Sequence, residues 1–328
     1  MRDTQRKKLF QSKIGKAQKA SNRRDYVCMQ SGCKKKAIKS HSQQKMCQLD
    51  SIAENSFVYS VEKSLYQVFN DKPRELLVKK TITDSSRYKG YCNYHDTKLF
   101  SVIENNNLDV TNPHHNYLLL LRCVSYEYAN KRDAYLRQQD ILKYTGELMS
   151  WEGRKGYEDS GLGLRQFLEI DAPYYFKQLE LIESSGCYDS IEYKSFTIDK
   201  NLGISSTTCF SPLRSKHSDW MLENYSKPQP FISLSVVPTE DKTHISFCWL
   251  KDFSEHCGEY RALNVDSDEI LKLVNMYVFT ESEDVCVTPS IWENLSASER
   301  HSIYRAIRDR DSSNSANEIP LVIGAQCT

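Results

Sequence analysis

The chain has 328 residues, of which 27% are charged and 39% hydrophobic, and its formal net charge is +1. This composition excludes collagen-like, mucin-like and wholly disordered proteins, and no apolar run approaches the roughly 20 residues of a membrane span. We therefore predict a soluble chain of two or three compact units that does not enter a membrane. The small net charge hides an asymmetry: residues 1–46 carry 14 Lys and Arg against two acids, a net charge of +12, which leaves −11 for the rest.

The N-terminal segment, residues 1–25, is predicted to be a basic arm. A helix here places Leu9, Phe10, Ile14 and Ala17 on one face among lysines and arginines, which is typical of an amphipathic helix. The segment lacks the apolar stretch and the cleavage pattern of a secretory signal, so we expect a cytoplasmic protein; a mitochondrial transit peptide is the open alternative. Most of the 11 cysteines are accordingly expected to be buried thiols.

Two short Cys/His pairs, Cys-x4-Cys and Cys-x2-His, lie in residues 26–112, which we predict to form a zinc module. The four predicted ligands are Cys28, Cys33, Cys92 and His95. Each short spacing lets two ligands reach one ion, and the set is suited to a tetrahedral structural Zn²⁺. His41 and Cys47 are reserve ligands, and the alternative interpretation is a set of unrelated thiols with a surface histidine. Two short β-like runs, Ser56–Val61 and Leu76–Ile82, separate the pairs.

The next segment, residues 113–186, is predicted to be helical. After the turn signal Asn112-Pro113, apolar residues recur at helical intervals without an internal Gly or Pro, which predicts one long helix. A glycine-rich break over 153–163 is expected to separate it from a second helix, 172–184.

Residues 187–311 are predicted to form an α+β domain. The predicted strands are 191–198, 231–237 and 243–250. Their alternation and the hairpin-like connection Pro238–Lys242 favour a small antiparallel sheet. Two helices should follow, one capped by Asp266 or Ser267 and one over Pro289–Arg310, and then a flexible tail, 312–328.

The two Cys/His pairs resemble those of the treble-clef zinc fold, and more particularly of HNH-type nucleases. The resemblance places the first pair in a knuckle and the second at a helix start. It implies that His41 is a general base and that Asp96 is a ligand of a catalytic Mg²⁺ or Mn²⁺, separate from the structural zinc. The chain has Ser40 where those enzymes usually carry an acidic ligand, which leaves open a treble clef that only binds or scaffolds.

A second, looser resemblance covers residues 26–145. The phrases AIKSHSQQKMCQLDSI and YKGYCNYHDTKLFSVIE resemble those of a group of uncharacterised bacterial proteins with the same zinc-ligand pattern. That resemblance implies a bacterial cytoplasmic protein, and a role in defence against phage is a hypothesis.

Basic residues lie close to the first Cys pair in sequence and are predicted to neutralise nucleic-acid phosphates. These residues are Lys7, Lys8, Arg23, Arg24, Lys34, Lys35 and Lys36. The alternatives are that the arm is a solvated terminal tail, or that it docks onto the acidic body of its own chain or of a second copy.

The sequence as a whole predicts an α+β protein with a treble-clef-like zinc module, a helical middle and a C-terminal antiparallel sheet with helices. Its predicted function is metal-dependent engagement of nucleic acid, with or without phosphodiester hydrolysis. The rival hypothesis is a non-enzymatic, zinc-stabilised scaffold that binds a protein partner or self-associates.

Overall fold

The computed structural model of the protein describes residues 3–61, 76–104, 108–212, 224–264 and 266–309, together with Ile319. The helices are α1 (Asp3–Arg23), α2 (Asn93–Phe100), α3 (Pro113–Thr145), α4 (Trp151–Asp159), α5 (Leu162–Gln166), α6 (Ala172–Ser185), α7 (Gly258–Arg261), α8 (Ser267–Thr280), α9 (Pro289–Asn294) and α10 (Ala297–Asp309). The strands are β1 (Lys39–His41), β2 (Phe57–Val61), β3 (Leu77–Thr81), β4 (Arg87–Lys89), β5 (Ile191–Ile198), β6 (Ile204–Phe210), β7 (Ile232–Pro238), β8 (Thr243–Leu250) and β9 (Val285–Val287). Except for Ile319, the predicted flexible tail lies outside the described residues.

Seven of the described strands form one antiparallel sheet in the order β3-β2-β9-β6-β7-β8-β5. The predicted hairpin is present, since β7 and β8 pair as far as Pro238 opposite Thr243. The N-terminal strands β2 and β3 join the same sheet through β9, where Tyr59 lies opposite Val287. The sheet therefore combines strands of the predicted zinc module with strands of the predicted C-terminal domain.

The central strand β6 is buried along its whole length although its sequence, ISSTTCF, is mostly polar. Its hydroxyls have partners: Ser205 Oγ accepts from Gln48 Nε2 at 2.8 Å, and Ser206 Oγ lies 2.9 Å from Ser282 Oγ. Because buried polar groups are tolerated when they are hydrogen-bonded, this strand can lie inside the sheet. We predicted no strand here, since the run does not alternate between apolar and polar residues.

The long helix α3 confirms the predicted single helix. It begins as expected, with Pro113 in its first turn and the Asn112 side chain accepting from His114 N at 2.9 Å. Its N-terminal half packs against β6, β7 and β8, where Leu118 and Leu120 are almost completely buried. No helix in the described part of the chain is long and apolar enough to cross a membrane.

The glycine-rich segment is mainly helical, so the predicted break over 153–163 is wrong. Helices α4 and α5 occupy most of it, and Ser150 caps α4 by accepting a hydrogen bond from Gly153 N at 3.0 Å. The capping hydroxyl compensates for the poor helix propensity of glycine at the first turn.

The predicted helix over Pro289–Arg310 is two helices. Leu295 is extended, with ψ of 138°, and it ends α9. Ser296 and Glu299 then cap the start of α10 reciprocally, with Ser296 N donating to Glu299 Oε2 at 2.7 Å and Glu299 N to Ser296 Oγ at 3.2 Å.

The basic arm is docked onto its own chain. Helix α1 packs Ile14 and Ala17 against Ile141 of α3, and all three side chains are buried. Beside this contact, Arg24 Nη2 lies 2.5 Å from Asp140 Oδ2. The structure therefore agrees with the intramolecular alternative for the arm.

Candidate metal centre

The four predicted ligands converge. The ligand atoms of Cys28, Cys33, Cys92 and His95 all lie within 4.8 Å of one another. The Sγ atoms of Cys28 and Cys92 are each 3.4 Å from Nδ1 of His95. A tetrahedral Zn²⁺ with ordinary bond lengths needs about 3.5 Å between a sulfur and a nitrogen ligand. These residues can therefore hold a metal ion, and three thiols with one imidazole form a donor set that suits zinc.

The first pair lies on a tight loop. Cys28 N donates to Lys35 O at 2.9 Å, and Cys33 N donates to Gln30 O at 3.0 Å. Gly32, with φ of 73°, takes the left-handed conformation that residues with side chains rarely adopt. This turn folds the loop back on itself and brings both thiols to one side.

The second pair lies at the start of α2. Cys92 is the residue that precedes the helix, with an extended backbone, and His95 follows within the first turn. The loop of the first pair is fastened to this segment because Ile38 N donates to Tyr91 O at 2.8 Å. The candidate ion would consequently lie between a loop and a helix start, with one ligand pair from each.

Local groups act differently on the two buried thiols. The backbone N–H of His95 lowers the pKa of Cys92, as expected for a thiol at a helix N-terminus, whereas burial raises the pKa of Cys28. Because metal binding requires deprotonated thiols, occupancy of this cluster would depend on pH.

A two-stranded hairpin, β1 with β4, separates the two ligand pairs. Between these strands the chain leaves the hairpin and contributes β2 and β3 to the large sheet. The long interval between the pairs is therefore an insertion into the hairpin, which preserves the convergence of the ligands.

Asp96, the predicted ligand of a catalytic ion, lies beside Ser40 of β1. Burial raises the pKa of the Asp96 carboxyl, while the nearby Ser40 hydroxyl and the positive charge of Arg122 act in the opposite direction. The Arg122 guanidinium is 5% exposed, bonds Glu104 Oε1 at 2.7 Å and lies 4.3 Å from the Phe100 ring centre. A fixed protein cation thus acts on the carboxylate that we predicted to bind a metal.

His41, the predicted general base, follows Ser40 directly, and successive side chains of a strand point to opposite faces. Its ring interacts with the backbone of Ile82 and Thr83, and its Nε2 is buried without a hydrogen bond to the described chain. Burial lowers the pKa of His41. The structure places His41 and Asp96 on different faces of β1, so it does not bring the predicted catalytic pair together.

The cysteine and histidine cluster is distinct within the described residues. It is the one group there of three or more His, Cys, Asp or Glu side chains close enough to hold a metal. The predicted catalytic Mg²⁺ or Mn²⁺ has no comparable group in that part of the chain.

Most of the predicted phosphate-binding residues are exposed. Those on the surface are Lys7, Lys8, Arg23, Lys34, Lys35 and Lys36. Lys36 pairs with the exposed Asp25 at 2.8 Å, and Lys35 Nζ lies 5.8 Å from the ring centre of Tyr94, which is 59% exposed. Arg24 differs, because Asp140 already binds its guanidinium in a half-buried position.

Sequence reasoning missed Arg122. A single arginine inside the apolar run LLLLRCV was a usable signal, because a charged residue in such a run needs a partner when the run is buried. Its partner Glu104 is 18 positions away and shares no motif with it.

No protein-family model, curated protein or solved structure gives a significant match to the chain.

Proposed function

We propose that this chain is a zinc-stabilised nucleic-acid-binding protein with a treble-clef-like metal module. The observation that carries the proposal is the four-ligand cluster with an exposed basic loop attached to it. The order of knuckle, interrupted hairpin and second knuckle at the start of α2 supports the treble-clef assignment.

The basic loop supplies the contacts. Lys34, Lys35 and Lys36 directly follow the ligand Cys33, so an ion bound there would hold their backbone in place. Lysines fixed in this way would neutralise phosphates with little ordering cost, and the neighbouring Tyr94 offers an exposed ring on which a base can stack.

Binding without hydrolysis is the form of the proposal that the geometry favours. Arg122 acts on Asp96 as a protein cation, and His41 lies on the other face of β1. HNH-like hydrolysis is the second candidate, and the observation in its favour is that burial lowers the pKa of His41, because a general base must be neutral.

The experiment is a binding titration with labelled single-stranded and duplex DNA and RNA at two salt concentrations. The test variant replaces Lys34, Lys35 and Lys36 with Gln, and the matched control replaces three exposed lysines elsewhere, Lys177, Lys251 and Lys272. We expect the test variant to bind at least about tenfold more weakly, with a salt slope lower by about 2–3, and the control to resemble wild type.

Two results would contradict the proposal. One is a wild-type protein that contains zinc but binds none of these nucleic acids, which would favour the scaffold. The other is equal weakening in the test and control variants. Cleavage of a bound strand with added Mg²⁺ or Mn²⁺, abolished by His41→Ala, would establish hydrolysis.

A further inference from the structure

A polar cleft lies between the C-terminal part of α1, the β1/β4 hairpin and α3. It consists of two adjoining cavities of about 410 and 380 Å³, which share Asn22, Asp84, Arg87 and Arg137. Each volume falls within the range of small-molecule sites. Neither cavity is lined by the metal cluster or by the Lys34–Lys36 loop.

Like charges face each other on the hairpin wall of this cleft, where Lys39 of β1 lies directly opposite Lys89 of β4. Opposed residues of an antiparallel pair share a face, and like charges in such positions destabilise the pair. A bound anion would remove this repulsion, whereas a neutral or cationic ligand would not.

The cationic groups on this wall are held in position. Lys89 Nζ donates to Arg24 O at 2.5 Å, and Arg87 Nη1 binds Asp84 Oδ1 at 2.8 Å. Lys39 is exposed beside them. The wall is therefore largely organised before any ligand arrives, which reduces the entropy cost of binding.

The two cavities differ in charge. The smaller one is lined by four basic residues, Lys39, Arg87, Lys89 and Arg137, and by two acids, Asp84 and Asp133. The larger one adds Glu283 and Asp284 with the hydroxyls of Ser60 and Ser86. Asp284 is 2% exposed, and its carboxylate accepts from Ser86 Oγ at 3.0 Å and from Ser42 Oγ.

We propose that this cleft binds a nucleotide, with its phosphate among the basic residues of the smaller cavity. Hydroxyl groups of the sugar or the amino group of a base would donate to the half-buried Glu283 in the larger cavity. The choice of a nucleotide, and not another phosphorylated ligand, rests on the proposed function. The ligand is either a free nucleotide or a nucleotide of a bound strand.

The test uses the full chain with three probes: adenosine 5′-monophosphate, inorganic phosphate and a labelled 12-nucleotide strand. Lys39→Gln is the main variant because the side chain is exposed and its loss leaves the core unchanged, and Lys272→Gln is the charge-matched control. We expect Lys39→Gln to weaken binding of the mononucleotide about fivefold and the control to leave it unchanged. Glu283→Gln should weaken the mononucleotide but not inorganic phosphate.

Competition distinguishes the two sources. Displacement of the labelled strand by adenosine monophosphate identifies a strand nucleotide as the ligand, and simultaneous binding identifies a free nucleotide. The cleft proposal is overturned if the mononucleotide does not bind saturably, or if Lys39→Gln and the control bind it with equal affinity. Neither result affects strand binding through Lys34–Lys36. Mononucleotide binding without any strand binding leaves the cleft and removes the proposed nucleic-acid function.

Discussion

The metal-cluster region and the seven-stranded sheet are stabilised in different ways. Strands β6, β7 and β8 are buried along almost their whole length, and Leu234, Phe247 and Trp249 are fully enclosed. The region of the cluster consists of short loops, the two three-residue strands β1 and β4 and the eight-residue helix α2. Elements this short bury little apolar surface alone, although Tyr91 and Phe100 reach the main core. We propose that a bound ion adds ligand bonds to this packing in the cluster region, whereas the sheet depends on its core.

Replacing a ligand should have the largest effect. In Cys92→Ser we expect loss of the metal and local unfolding of the loop around Cys28 and of α2, because a structural zinc contributes about 10–16 kcal/mol in small peptides. Amide hydrogen exchange would locate the unfolding, and Cys47→Ser, outside the cluster, is the control. Unchanged exchange protection in Cys92→Ser would mean that packing alone holds this region.

A cavity in the sheet should lower the stability of the fold without releasing the metal. Leu234→Ala in β7 removes a fully buried side chain, and we expect the free energy of unfolding to fall by about 2–5 kcal/mol with the metal content unchanged. Urea unfolding followed by circular dichroism, with zinc analysis of the same sample, measures both quantities. Metal loss in this variant would show that the two regions depend on each other.

The stability of the fold should depend on pH through Asp171, which lies beside the sheet at the start of α6. Burial raises the pKa of this carboxyl to about 6, from the 3.8 of an exposed aspartate, although Gln229 N donates to it at 2.9 Å. The folded state therefore favours the protonated form, and its contribution to stability is present at low pH and lost as pH rises through about 6.

Asp171→Asn should remove this dependence. Between pH 4 and 7 we expect wild type to lose up to about 3 kcal/mol of unfolding free energy relative to the variant. Parallel stability curves for the two proteins over this range would be inconsistent with the assignment.

Removing the cap of α8 should cause a smaller loss of stability. Asp266 accepts from Asp268 N and Glu269 N, both at 2.9 Å, and Glu269 completes the capping box. Asp266→Ala should lower the free energy of unfolding by about 1 kcal/mol. Asp268→Ala, which leaves the cap intact, is the control; a thermal shift of equal size in both variants would argue against the capping role.

The sequence predicted best what depends on local spacing. Cys28 with Cys33, and Cys92 with His95, are each joined by one turn, so their convergence within a pair follows from the chain itself. The cap at Asp266 and the uninterrupted helix α3 were likewise local patterns. In α10 a local pattern was overlooked, since Ser296 and Glu299 have the spacing of a capping box.

The missed features depend on distant contacts. β6 pairs with β7 and β9, and Gln48 and Ser282, far away in sequence, satisfy its buried hydroxyls, while its own residues carry no alternation. The charge of Arg122 near Asp96 and the meeting of Lys39 with Lys89 also arise only when separate segments pair. Such contacts leave no periodicity in the sequence from which they could be predicted.

The most direct measurement of the central claim is the metal content of the purified chain by elemental analysis, in wild type, Cys28→Ser and Cys47→Ser. We predict about one zinc per chain in wild type and in Cys47→Ser, and none in Cys28→Ser. A wild-type protein that is folded, stable and free of zinc and of any other metal would contradict the assignment of this cluster as a metal centre.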